Sequence, residues 1–234
     1  MQIIANNEVE KTILERHSVR AFSSKPVSDK LIRDMVNKAA RAPSGTNTQP
    51  WKVYVVQGQV KQQITDKVIE AAHQLYLGLK SKSDFKAPYS YYPATWFEPY
   101  LSRRRENGAK MYQILDIAKG NRSAMHLQQL RNFKFFDAPV GLFFTTHQDL
   151  TDGAKMAVAM LMQNIMLIAK AQGLDTCPQA SWNTYHEIIM PILNAKQEER
   201  FLCGMSLGYA LKDQPINQFY TDREDAEQFM VFLK

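Results

Sequence analysis

The run from Ala154 to Ala171, AKMAVAMLMQNIMLIAKA, comes nearest of any stretch in the chain to a membrane span. Its length suits a bilayer, but Lys155, Gln163, Asn164 and Lys170 would each be costly in hydrocarbon. A helix apolar on most of its sides has to be buried among other elements, so the rest of the chain must build a core around it. Thr151 or Asp152 is placed to cap this helix, and Gly173 to accept the left-handed conformation past its end. The methionines Met156, Met160, Met162 and Met166 are expected to fill core space.

Other elements follow from spacing and punctuation. Ser28 can cap a helix whose apolar side is Leu31, Ile32, Met35, Val36, Ala39 and Ala40, and which ends before Pro43. Lys52 to Gln57 reads as a short buried strand, and Val60 to Leu79 as a helix with Ile64, Val68, Ala71 and Leu75 inward. The segment Ser81 to Pro99 is irregular and rich in aromatic residues. Helices are expected over Arg103–Ile117 and Arg122–Asn132, a strand over Val140–Thr145, a short helix near Tyr185–Leu193, a strand over Phe201–Leu207 and a terminal helix over Asp222–Phe229. Irregular alternation of helices with three or four short strands does not give the beat of a doubly wound parallel fold. Neither GxGxxG after a strand nor GxxxxGK[ST] occurs, so a phosphate must be held by side chains. With no repeat, low-complexity tract or Gly/Ser linker, residues 1–234 are expected to form one domain.

Charge narrows the partners. Lys and Arg exceed Asp and Glu by 29 to 23, which invites a nucleic-acid reading. Apart from Arg103, Arg104 and Arg105, however, the basic residues are spread among acids, which fits a small anionic ligand better than nucleic acid. The two cysteines, Cys177 and Cys203, offer neither a disulfide framework nor a zinc site and read as buried thiols in a reducing compartment. The start, MQIIANNEVEK, shows no secretory pattern, so the expected location is the cytoplasm, with no membrane partner. His73, His126, His147 and His186 are expected at the surface or as caps, and no metal site is expected.

Two stretches carry chemistry. In RHSVRAF, Arg16 to Phe22, an extended backbone would put Arg16, Ser18 and Arg20 on one side, with His17 and Val19 on the other. Two guanidiniums and a hydroxyl make an anion cradle through charge-assisted bonds; a solvated basic turn is the plainer alternative. In RAPSGTNTQPW, Arg41 to Trp51, the loop is longer than a link needs, and its small residues and amides suit a flat heteroaromatic edge. A helix stop followed by a turn is its structural alternative.

The stretch ERHSVRAFSSKPVSDKLIRDMVNKAARAPSGTNTQPWKVYVV, Glu15 to Val56, resembles the start of the FMN-dependent nitroreductase superfamily. The likeness continues in DAPVGLFF, Asp137 to Phe144, in QGLDTCPQASW, Gln172 to Trp182, and in CGMSLGYALKDQPINQFYTDRE, Cys203 to Glu224. With RRRENG and RNFKFFDAPVG it looks closest to the nitrobenzoate-reductase-like branch. The resemblance implies an α+β fold, a mixed, mainly antiparallel sheet surrounded by helices, in an interlocked homodimer with FMN in each of two interface clefts. By that likeness Arg16, Ser18 and Arg223 would hold the FMN phosphate, with His17 contributing backbone and Arg20 near the pyrimidine side of the ring. Pro43, Ser44, Gly45 and Asn47 would come from the other subunit, while Pro178, Gln179, Ala180 and Ser181 would lie along the ring edge. Thr221 stands where some relatives have Lys, and PQAS replaces their PxEG, so only a backbone role carries over there.

The implied activity is NADH- or NADPH-driven reduction of a small nitroaromatic or quinone, alternately with the reductant in one cleft. The flavin carries the redox chemistry, and no protein nucleophile or general base is required. Tyr92 and Trp96 could stack on the substrate, and Arg103 or Arg104 could pair with its carboxylate; aromatic groove filling and a wet helix face are the alternative. Reductive dehalogenation, flavin fragmentation and a non-catalytic module binding a phosphate ligand or nucleic acid remain open at this point.

Overall fold

The computed structural model describes residues 4–234. Helix α1 (Glu8–Glu15) and helix α2 (Asp29–Ala39) precede strand β1 (Lys52–Val56) and helix α3 (Gly58–Tyr76). Helices α4 (Tyr100–Ile114) and α5 (Arg122–Leu130), strand β2 (Val140–His147) and helix α6 (Asp152–Ala171) follow. Strand β3 (Asp175–Gln179), helix α7 (His186–Ile192) and strand β4 (Glu199–Gly208) complete the frame.

The strands form one sheet in the order β1-β2-β4-β3, every neighbour antiparallel. The parallel component is an isolated bridge between Ser18 and Thr176 at the β3 edge. Both faces are covered. One holds Ile64 and Val68 of α3 against Phe143, Trp182 and Phe201; the other holds Met35 of α2 and Leu161 and Ile165 of α6 against Leu142, Phe144 and Met205. Burial on both sides explains why β2 is a continuous apolar run rather than an alternating one. Opposite the Phe144/Thr145 step Leu202 has no partner, a bulge that bends β4. Gly204 lies so close under the Trp182 indole that an added Cβ would collide with it.

Several expectations need correction. The predicted terminal helix over Asp222–Phe229 is only a turn at Ala226–Gln228. Asp222, Glu224, Asp225 and Glu227 crowd like charges there, and so short a helix without a packed face is not stable by itself. Met156 and Met160 are exposed, 66% and 38%, while Met166 faces the core: the apolar girth of α6 exceeds what this chain covers. That helix is long and apolar enough to cross a membrane by composition, yet its inner face packs on α2 and Asn164 Nδ2 donates to Ala39 O at 3.1 Å. His126 is buried rather than superficial, and Cys203 is only partly buried. Helix α4 begins at Tyr100, three positions before its predicted start at Arg103. Strand β3 was hidden in the sequence by Pro178, which an edge strand tolerates because its missing N–H need not join a ladder.

Candidate functional site

Helix α1 ends without a buried residue, and its continuation, Arg16 to Phe22, runs extended beside β3. Val19 N–H donates to Thr176 O at 3.1 Å, and Phe22 bridges to Ala210. Val19, Ala21 and Phe22 are buried, which anchors the segment. Arg16, Ser18 and Arg20 all act on the Cys177 thiol: burial pushes its pKa up, opposed by Arg20, by a Ser18 hydrogen bond and by Arg16. Arg20 also turns back to donate to the Ser18 carbonyl at 3.3 Å. His17 points elsewhere, its ring nitrogens at 3.0 Å from Glu15 O and 2.9 Å from Asn217 O, its ring against Tyr220 at 4.3 Å.

Asn217 was in the quoted C-terminal motif without a role, and it fastens this segment to the end of the chain. Its Oδ1 accepts from Arg20 N at 2.8 Å and Ala21 N at 3.1 Å; its Nδ2 donates to Ala21 O at 2.7 Å and Leu211 O at 2.9 Å. The chain beyond it brings Arg223 within electrostatic reach of Arg16. Burial depresses the Arg16 pKa, and the charge of Arg223 depresses it further. Arg223 has no acidic partner among the described residues and turns back on Thr221, donating to its carbonyl at 3.0 Å and its hydroxyl at 2.6 Å. A hollow of about 400 Å³ opens beside it, where Arg103 pairs with Glu224 at 3.1 Å and Lys110 with Asp222 at 2.8 Å. Two cations within electrostatic reach of each other favour an anion beside them.

The PSGTN loop forms a turn at Gly45–Asn47 in which Thr46 and Asn47 have φ of 49° and 59°, and Gln49 just after it has φ of 46°. A β-branched residue in the left-handed region is strained, yet Pro43, Gly45, Thr46 and Asn47 are exposed and Ser44 only half-buried. Ser44 Oγ accepts from Gln49 N at 3.0 Å and sets the loop's curvature.

On the other side, β3 runs out through Pro178 and Gln179 into the turn Ala180–Tyr185. The Gln179 side chain is locked, donating to Asn132 O and accepting from Ser206 Oγ, both at 2.7 Å. Gln179 therefore has no free side-chain group to offer, and Ala180 and Ser181 emerge at the surface of the sheet end. A cavity of about 640 Å³ lies there, lined by Lys86, Tyr89, Tyr91, Tyr92, Ala180 and Asn183 among others. Tyr89 belongs to the aromatic stretch from which substrate choice was expected, while Asn183 had been given no role. Trp96 is 5.3 Å from Tyr92 and carries the Arg104 guanidinium over its ring at 5.1 Å. Both arginines assigned to a carboxylate are thus engaged, Arg104 with Trp96 and Arg103 with Glu224.

Comparison with known proteins places the chain by sequence and by fold. The chain is 33% identical over 225 residues to the chloronitrobenzene nitroreductase of Comamonas testosteroni, covering 96% of each chain. It is 31% identical over 230 residues to the 4-nitrobenzoate reductase of Pseudomonas putida, covering 98% of this chain and 97% of that one. The crystal structure of the FMN and NADPH-dependent nitroreductase NfnB from sphigopyxis sp. strain HMH superposes with a TM-score of 0.90 at 29% identity, covering 97% of this chain and 99% of that one. Residues 13–209 match the model of the nitroreductase family, and with the shared fold this settles kinship: the chain belongs to the nitroreductase family.

Proposed function

We propose that the protein is an FMN-dependent oxidoreductase that takes hydride from NADH or NADPH and reduces nitroaromatic compounds, nitrobenzoates and quinones among the acceptors. The observation that supports the reading is geometric: the extended segment bearing Arg16, Ser18 and Arg20 lies beside β3 and is fastened by Asn217 to the chain end that carries Arg223, which makes a place for a phosphate dianion. When bound, FMN supplies the hydride chemistry. Arg16, Ser18 and Arg223 hold its phosphate and His17 adds backbone. Arg20 stands at the pyrimidine side, where a permanent positive charge stabilises negative charge. Pro178 to Ser181 lie along the ring edge, with the Ala180 N–H available as a donor. Reductant and acceptor use one cleft in turn.

The working unit is a homodimer of one-domain subunits in the cytoplasm. The strained, exposed loop Pro43–Asn47 is the contribution of one subunit to the cofactor of the other, since strained backbone persists where surroundings fix it. Met156 and Met160 of α6, and Phe229, Val231, Phe232 and Leu233 of the tail, present apolar surface that a second copy would cover. Purified protein tests the reading: a yellow dimer bleached by NADPH without oxygen and recoloured by a nitroaromatic supports it. A colourless monomer that takes up no FMN overturns it.

A further inference from the structure

Arg223, assigned above to a phosphate, stands between two acids in sequence, Asp222 and Glu224. A carboxylate that reaches a guanidinium competes with phosphate for it and cancels the charge on which anion binding depends. From Tyr220 onward every residue is exposed, so no buried packing keeps these side chains apart.

Helix α4 separates them. Lys110 Nζ takes Asp222 Oδ2 at 2.8 Å, and an Arg103 guanidinium nitrogen takes Glu224 Oε1 at 3.1 Å. The two cations are seven positions apart, on one side of the helix and two turns from each other, and they meet the chain end in antiparallel order. Arg103 also lies over the Tyr100 ring at 5.9 Å, which limits where its guanidinium can go. Glu106, between them in sequence, lines the same hollow and lies within electrostatic reach of Lys110, but it forms no ion pair with Arg223. Arg223 itself donates only to uncharged groups, the Thr221 carbonyl and hydroxyl and the Asp222 carbonyl.

We infer that Lys110 and Arg103 are positioning residues for the cofactor: by occupying Asp222 and Glu224 they keep Arg223 free for the FMN phosphate. This role rests on the proposed function, since it needs a phosphate at Arg223. Exposed ion pairs are individually weak, so what matters is which cation each carboxylate engages rather than the strength of the pair.

Retention of flavin by the full chain tests the role, read from the return of free-flavin fluorescence on serial dilution at fixed low ionic strength. Protein loaded with FMN is compared with protein loaded with riboflavin, which has no phosphate. Lys110→Gln and Arg103→Gln should each raise the FMN dissociation constant about threefold and leave riboflavin unchanged. Asp222→Asn and Glu224→Gln should stay within about twofold of the parent, because the carboxylate each removes is already occupied. Adding Asp222→Asn to Lys110→Gln, or Glu224→Gln to Arg103→Gln, should restore parent affinity. Equal weakening by Lys110→Gln and Asp222→Asn would mean that the pair only tethers the chain end. Tightening by Asp222→Asn as large as the loosening by Lys110→Gln would mean a general field of charge. Either result overturns the role, as does an FMN affinity that neither Lys110→Gln nor Arg103→Gln moves, and all three leave the proposed function standing. A parent protein that holds FMN no more tightly than riboflavin instead removes the phosphate site, and the proposed function loses its support together with this role of α4.

Discussion

Asn217 accepts the backbone N–H of Arg20 at 2.8 Å, across 197 positions of sequence. With its bonds to Ala21 and Leu211 the side chain satisfies two donors and two acceptors, joining the segment of Arg16 to the segment of Arg223. Asn217→Ala leaves these buried groups unmatched and should lower stability by about 3 kcal/mol. It should also weaken FMN binding, because the two arginines lose their common support. Urea denaturation and flavin titration measure the two effects; a stable variant with weakened flavin binding would show that the clamp serves the site more than the fold.

Arg16 and Arg223 repel each other in the free chain, so removing one charge has opposite consequences with and without an anion. Arg16→Met should leave the cofactor-free protein no less stable, and it should weaken FMN by about 1.5–3 kcal/mol through loss of a charge-assisted bond. Riboflavin has no phosphate, so its affinity should stay unchanged. An equal loss for riboflavin and FMN would remove Arg16 from the phosphate site.

Glu199 joins three strands. Burial would raise its pKa, but Lys52 Nζ at 2.6 Å, Thr145 Oγ1 at 2.7 Å and Tyr54 OH at 2.8 Å outweigh this and bring it down from 4.5 to about 2. A depressed carboxylate pKa stabilises the fold above the unfolded value and loses that contribution as pH falls through the folded value. The protein should therefore lose about 3 kcal/mol between pH 4.5 and 2 through this group, from 4.5 − 2 = 2.5 pKa units. Glu199→Gln should flatten acid denaturation in that window; a parent-like acid limb in the variant would show that other carboxylates govern it.

The parts legible in the sequence were those with periodicity or a motif. The α2 and α6 helices and strands β2 and β4 follow from spacing that the chain alone enforces, as does the position of β1, although only Val56 of that strand is buried and the expected burial of the whole strand is not found. Strand β3 was not legible because its residues are poor strand formers held in place by β4 and the Ser18 bridge. The Asn217 clamp depends on residues far apart in sequence, and nothing in a local pattern reveals it. The exposed methionines of α6 were misread because composition cannot tell a face buried within one chain from one left open.

His126 faces His73, with Nε2 and Nδ1 3.3 Å apart, and its ring stacks on Tyr76 at 3.9 Å. Burial lowers its pKa from the ordinary 6.5, and the neighbouring His73 lowers it further. A histidine with a lowered pKa binds protons more readily in the unfolded chain, so the native state is fully favoured above pH 6.5 and loses ground as pH falls below it. Stability measured by urea denaturation should decline through mildly acidic pH, well before Glu199 titrates. His126→Phe keeps an aromatic ring against Tyr76 and removes the proton site, so the decline should be absent in that variant. His73→Gln removes only the secondary, electrostatic cause and should leave a reduced decline. If both variants keep the parent slope, the α3 and α5 contact is not the source of the pH dependence.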